Sequence, residues 1–226
     1  MIYNSGTSYM GLPREANGKM PRGKLVESSE RRRQEIMAAA LDCFTVKGFS
    51  ETSMADIQER SGASMGSIYH HFESKERLAA ALYLEGLKGV HGAIRSVLAE
   101  TEQAEEGIKA LVQAYIDWFV QHPDLGHYLF QGMGAQYLEV EGEKIREETA
   151  MLRRDLGGWL RPHIESGKIA RLPTELYSPL MLGPTREFLQ QWLVNRVRRN
   201  SEGLADLTES SQALAKAAWK ALASTS

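Results

Sequence analysis

The sequence predicts an all-α chain: an N-terminal three-helix unit of the helix-turn-helix kind, then a larger helical domain. Three observations predict it. Apolar residues recur at helical spacing, as in Ile36, Ala40, Leu41 and Phe44. Serines able to cap helices precede the apolar stretches at Ser53, Ser64 and Ser74, and glycines able to end them follow at Gly48 and Gly62. Residues 53–75 hold two short helical segments separated only by Gly62 and Ala63. Three regions follow: a flexible arm over 1–27, a helix-turn-helix domain over 28–74, and a larger helical domain over 75–226.

Residues 1–27 are rich in Gly, Pro, Ser and Asn and show no apolar period. They read as an extension upstream of a later start at Met10 or Met20, or as a basic arm touching DNA. A helix over 28–47 follows, stopped by Gly48, with Cys43 as an inert small residue in its interior. Ser53 caps the next helix, and Asp56 three residues on completes a capping box. Gly62 ends that helix in a left-handed turn. Ser64 caps a helix over 65–72, on which Ile68 and Phe72 lie one turn apart and face the core. Its other face shows Ser67, Tyr69, His70 and His71, a mix of small, polar and aromatic groups suited to a DNA major groove.

These residues carry a resemblance. The run from Ala40 to Ile57, A-L-x-x-F-x-x-x-G-F-x-x-T-S-M-x-D-I, and the run from Ser61 to Glu76, S-G-A-S-M-G-S-I-Y-H-H-F-x-S-K-E, resemble the N-terminal domain of TetR-family transcriptional regulators. Gln58, Ser61 and Ala63 depart mildly from that pattern. The resemblance covers about 50 residues and implies a homodimer that binds palindromic DNA and releases it when a small molecule occupies the C-terminal domain. It also implies that Thr52, and Lys75 at the next helix start, clamp the DNA backbone. The helix itself suggests Ser67 and His70 at base edges, Met65 and Gly66 near the groove, and Tyr69 and His71 on phosphates, with the caps Ser53 and Ser64 beside them.

Composition narrows the function classes. No apolar run approaches the ~18–20 residues a membrane-spanning helix needs. The single cysteine cannot form an internal disulfide, which fits a cytoplasmic protein. Net charge is −2, yet residues 14–33 carry seven basic against three acidic side chains. Residues 53–75 are not themselves basic, so phosphate attraction is expected from Arg31, Arg32 and Arg33, from Lys75 and from helix N-termini. The six histidines form no metal motif, and no nucleophile–base pair, phosphate loop or dinucleotide fingerprint is present. No metal, cofactor or catalytic residue is expected.

The rest of the chain reads as helices over 75–100, 104–122, 124–131, 139–166, 174–199 and 204–223. Gly86, Gly89 and Gly92 imply either close packing or a weakened segment in the first of these. Gly157 and Gly158 are expected to interrupt the fourth, and Gly183 with Pro184 to break the fifth. Trp118, Tyr128, Phe130, Met133, Tyr137, Trp159, His163, Met181, Phe188 and Trp192 form a set that could line an effector cavity, or could be plain core. The 174–199 helix is apolar on two faces. Leu182, Leu189, Leu193 and Val197 on it, with Leu207, Leu214, Ala218 and Leu222 on the last helix, could form half of a four-helix dimer bundle. The resulting expectation is a DNA-binding regulator, a repressor released by an apolar or aromatic effector. The alternative is a regulator whose second domain only dimerises or docks a protein.

Overall fold

The computed structural model describes residues 22–198 and 207–224, with side chains from Ser28 to Arg196 and from Leu207 to Ser224. Among the described residues the chain runs α1 (Arg22–Glu51), α2 (Met54–Ser61), α3 (Met65–Phe72), α4 (Lys75–Glu100), α5 (Ala104–Gln121), α6 (Pro123–Gly132), a 3-10 helix (Gln136–Glu141), α7 (Gly142–Glu165), α8 (Thr174–Arg198) and α9 (Thr208–Leu222). Helix α1 begins six residues before the expected position 28. The rest of the expected arm, residues 1–21, is outside the described residues. Gly48 kinks α1 at φ 79°, which leaves a last turn reaching Glu51.

The N-terminal unit closes on itself through its own apolar residues. Ile36, Ala40 and Phe44 of α1 meet Ile57 of α2 and Ile68 and Phe72 of α3, all buried. That core is continuous with the C-terminal one. Phe44 stacks on Tyr128 of α6 at 5.8 Å, and the Tyr128 hydroxyl donates to the Ala79 carbonyl of α4 at 2.9 Å. Phe49, just past the kink, stacks on Tyr137 of the 3-10 helix at 3.9 Å.

In the larger domain α5 is central and packs on α4, α8 and α9. Two of the three α4 glycines are close-packing positions. A Cβ on Gly89 would come 2.8 Å from Trp118 Nε1, and one on Gly86 would come 3.0 Å from Leu129. Gly92 faces open space.

Several expectations are corrected here. Helix α7 runs unbroken through Gly157 and Gly158, because a helical glycine costs only about 1 kcal/mol and Trp159 anchors this turn by donating to the Thr101 carbonyl at 2.9 Å. Helix α8 likewise continues through Pro179 and Pro184. The row expected at a dimer interface is mostly core of one protomer: Leu182, Leu189, Leu193, Ala218 and Leu222 are buried. One helix with apolar residues on two sides finds both partners in its own subunit, α5 and α9. Leu207 and Leu214 stay half-exposed, and the Val197 side chain lies outside the described residues.

Candidate nucleic-acid interface

The helix-turn-helix is held by local hydrogen bonds that its residue types dictate. Ser53 Oγ accepts from the Asp56 N–H at 3.2 Å, and Asp56 Oδ2 accepts from the Ser53 N–H at 2.8 Å. Lys47 donates to the same carboxylate at 2.6 Å, and the Lys47 and Ser53 hydrogen bonds hold Asp56 well below the usual carboxylate range. Gly62 takes φ 64° and ends α2. Ser64 Oγ accepts from the Ser67 N–H at 3.2 Å and starts α3. Ile68, fully buried, and Phe72, 3% exposed, root α3 in the core.

With those roots fixed, the opposite face of α3 is free. Gly66, Tyr69 and His70 are exposed, with Tyr69 47% exposed, and Met65, Ser67 and His71 are half-buried. The caps Ser53 and Ser64 are exposed at the starts of α2 and α3. The His70 and His71 rings meet edge-on at 5.4 Å. Burial, and then the charges of His70 and Arg33, push His71 below its usual pKa, so at neutral pH it is an uncharged donor and acceptor. Arg31 and Arg32 pair with Glu35, and Arg33 with Glu30, within α1. Exposed pairs of this kind are worth ~0–1 kcal/mol and exchange readily for phosphate.

Two expected DNA contacts have other uses in the structure. Thr52 is 1% exposed, and its hydroxyl donates to the Gly48 carbonyl at 2.7 Å and the Cys43 carbonyl at 3.2 Å. Lys75 Nζ donates to the carbonyls of Phe49 at 2.8 Å and Thr52 at 2.7 Å, and sits 4.4 Å from the centroid of the Phe49 ring. Both side chains bind the kinked end of α1, not a surface. A signal existed for Lys75: a cation in the first turn of a helix opposes that helix's dipole, so it must serve another element, here the carbonyl end of α1.

The ten residues expected around an effector do not line the cleft between α7 and α8. Trp118, Tyr128 and Met181 are buried core. Phe130 packs on Phe119 at 5.0 Å, Tyr137 on Phe49, and His163 on the Trp159 ring at 4.5 Å. Phe188 and Trp192 are half-buried against the core, and Met133 is 51% exposed. A wide cleft of about 1250 Å³ lies elsewhere, between α7 and the start of α8. Among the described residues no cluster of His, Cys, Asp or Glu could hold a metal ion, and no helix is long and apolar enough to cross a membrane.

Among the described residues the chain is thus a capped helix-turn-helix head on a helical body. Residues 36–82 match the family model for bacterial regulatory proteins of the tetR family. The chain is 31% identical over 119 residues to the HTH-type transcriptional activator FasR of Mycolicibacterium smegmatis, which covers 53% of this chain and 53% of that protein. Thus the chain matches about half the length of this curated relative. Its fold superposes with a TM-score of 0.69 on a TetR family transcription regulator from Marinobacter aquaeolei, at 21% identity, covering 89% of this chain and all of that one. It superposes at 0.70 on the transcriptional regulator FadR of Bacillus subtilis in complex with stearoyl-CoA, at 21% identity, covering 83% and 98%. The N-terminal unit is thus similar to that of the tetR family, and the fold is similar to that of these solved regulators.

Proposed function

We propose that the protein is a homodimeric, sequence-specific regulator of transcription that binds double-stranded DNA in the cytoplasm and responds to a small-molecule effector. The observation that carries this reading is the free face of α3. Ser67, Tyr69 and His70 stand outward on a helix whose two ends are capped and whose other face is buried, so the donors are held in register without a ligand. His70 and Ser67 read base edges. Tyr69 and neutral His71 bond phosphates, with Arg31, Arg32 and Arg33 as exchangeable helpers. Two such helices must match half-sites about one helical turn, ~34–36 Å, apart, so the unit that acts is a dimer.

The dimer face is the outer side of α9. Half-exposed Leu207 and Leu214 continue there into exposed Ala217 and Ala221, small residues that allow close approach of a second copy. The effector reading is supported by the cleft between α7 and α8, and the polarity of the response is repression. The densely packed aromatic core favours the alternative, a regulator without an effector, only if the cleft proves to be empty in use. Selection from a random-sequence DNA pool tests the reading. It should enrich an inverted repeat bound by two chains, and enrichment of no sequence would defeat it.

A further inference from the structure

We propose that the cleft between α7 and the start of α8 binds an amphipathic anion: a carboxylate or phosphate head on an extended apolar body. This rests on the reading of the chain as an effector-responsive regulator and names the chemical class of that effector. The floor is one stripe of α7, Leu152, Leu156, Leu160 and Ile164, at i, i+4, i+8 and i+12. Three of the four are only half-buried, so apolar surface is left open to the cleft. Tyr177 of α8 closes the far wall, its hydroxyl held between the Ala170 carbonyl and the Leu172 N–H at 3.0 Å each. Gly157 and Gly158 present bare backbone midway along the floor, and a Cβ on either would meet nothing within 4 Å. The volume, about 1250 Å³, exceeds the ~300–1,000 Å³ of ordinary small-ligand pockets and suits a long occupant.

The charge around the floor gives the sign of the head. Arg153, Arg154, Arg161 and Arg171 line the cleft against two carboxylates, Glu165 and Glu175. Among the described residues none of these four guanidinium groups is paired with a carboxylate, whereas Arg60, Arg77 and Arg95 elsewhere are. Four unpaired cations around one apolar trough repel each other and attract an anion whose tail covers the trough, and a guanidinium fork matches carboxylate or phosphate oxygens.

Calorimetric titration of the full chain with decanoate, decyl phosphate and 1-decanol tests this. Both anions should bind at least ten times more tightly than the alcohol, and their relative strengths distinguish a carboxylate from a phosphate head. Lengthening the carboxylate from eight to twelve carbons should tighten binding by roughly fourfold per methylene. R161Q combined with R171Q should remove the preference for anions over decanol. G157L should weaken all three ligands at least tenfold while the thermal midpoint holds or rises, because leucine favours a helix and the added side chain fills only the cleft. Equal binding of anion and alcohol, or full binding by G157L, overturns the proposal. A shift of G157L from dimer to monomer also overturns it, since a second copy would then occupy the cleft. DNA binding by the same variants separates this from the regulator reading. Retained DNA binding with no anion binding sinks only the cleft, and anion binding with no DNA binding sinks only the regulator.

Discussion

Lys75 is a side chain whose role depends on partners far away in sequence. Its three acceptors, the carbonyls of Phe49, Ser50 and Thr52, lie 26, 25 and 23 residues back. The misplaced cation at a helix start is the one local sign of that contact, and it does not name these acceptors, so charge and the family resemblance both suggested a phosphate clamp. Ser53, Asp56, Gly62 and Ser64 were legible because capping is local: each partner lies within four residues. Ile68 and Phe72 were legible for the same reason, as one turn of one helix. The two kinds of residue separate in mutation. Lys75→Met should destabilise the fold by about 2 kcal/mol, read by urea unfolding, because hydrogen bonds from a charged donor are worth ~1.5–3 kcal/mol. Its DNA affinity under folded conditions should be close to that of the unmodified chain. A stable variant with weakened DNA binding would return Lys75 to the phosphate-clamp role.

Helix α7 is the element in which one sequence serves two partners. One face carries the cleft floor. The other carries Glu148, 7% exposed, which accepts from Arg95 of α4 at 3.0 Å and lies 3.0 Å from Nδ1 of buried His91. Arg95 also donates to Asp155, two turns further along α7, at 2.8 Å. Burial pushes His91 below its usual pKa against the pull of Glu148. Burial alone would raise Glu148, but hydrogen bonds from His91 and Arg95 outweigh it and leave the carboxyl low. Both depressions act in one direction. The native state takes up fewer protons than the unfolded chain as pH falls through ~6.5 and on toward ~4, so acid destabilises it. His71 and His127, also depressed by burial, add to the same slope. H91Q should therefore show a shallower loss of stability between pH 7 and pH 5 in urea titrations, and an unchanged slope would remove His91 from the account.

The periodicity of α7 was readable, but this polar contact was not, since it joins positions 57 apart. The glycines misled for a physical reason. Their bare backbone breaks a helix only when nothing else holds the turn, and Trp159 holds this one. Gly107 is the counterpart: a Cβ there would collide with the Trp159 ring. Gly107→Ala should cost about 1–3 kcal/mol in thermal or chemical unfolding, through overpacking.

At the scale of the molecule, the head and body are joined by contacts that converge on the end of α1. Phe49 lies between the Lys75 ammonium and the Tyr137 ring, and Arg77 of α4 donates to Glu141 at 3.0 Å, just ahead of α7. Displacement of α7 by a ligand in the cleft would be felt at Tyr137 and at Glu141, and through them at the base of the helix-turn-helix. This supplies a contiguous route for coupling between two sites. Fold class, helix order and the outward face of α3 could be read from the sequence because each depends on patterns within one helix. The inward packing of α8 and the place of the cleft could not. Which of two apolar sides of α8 turns inward depends on α5 and α9, and whether aromatic residues line a cavity or fill a core depends on how closely helices approach.

The central claim is that the outward face of α3 reads DNA sequence. Fluorescence anisotropy with the pool-selected DNA and single-base variants of it tests that most directly, comparing the unmodified chain with H70A and Y69A. H70A should lose ~1–3 kcal/mol of discrimination at one position in each half-site and leave the others intact. Y69A should weaken binding to every variant alike. Discrimination and affinity unchanged in both, with the fold intact, would contradict the claim.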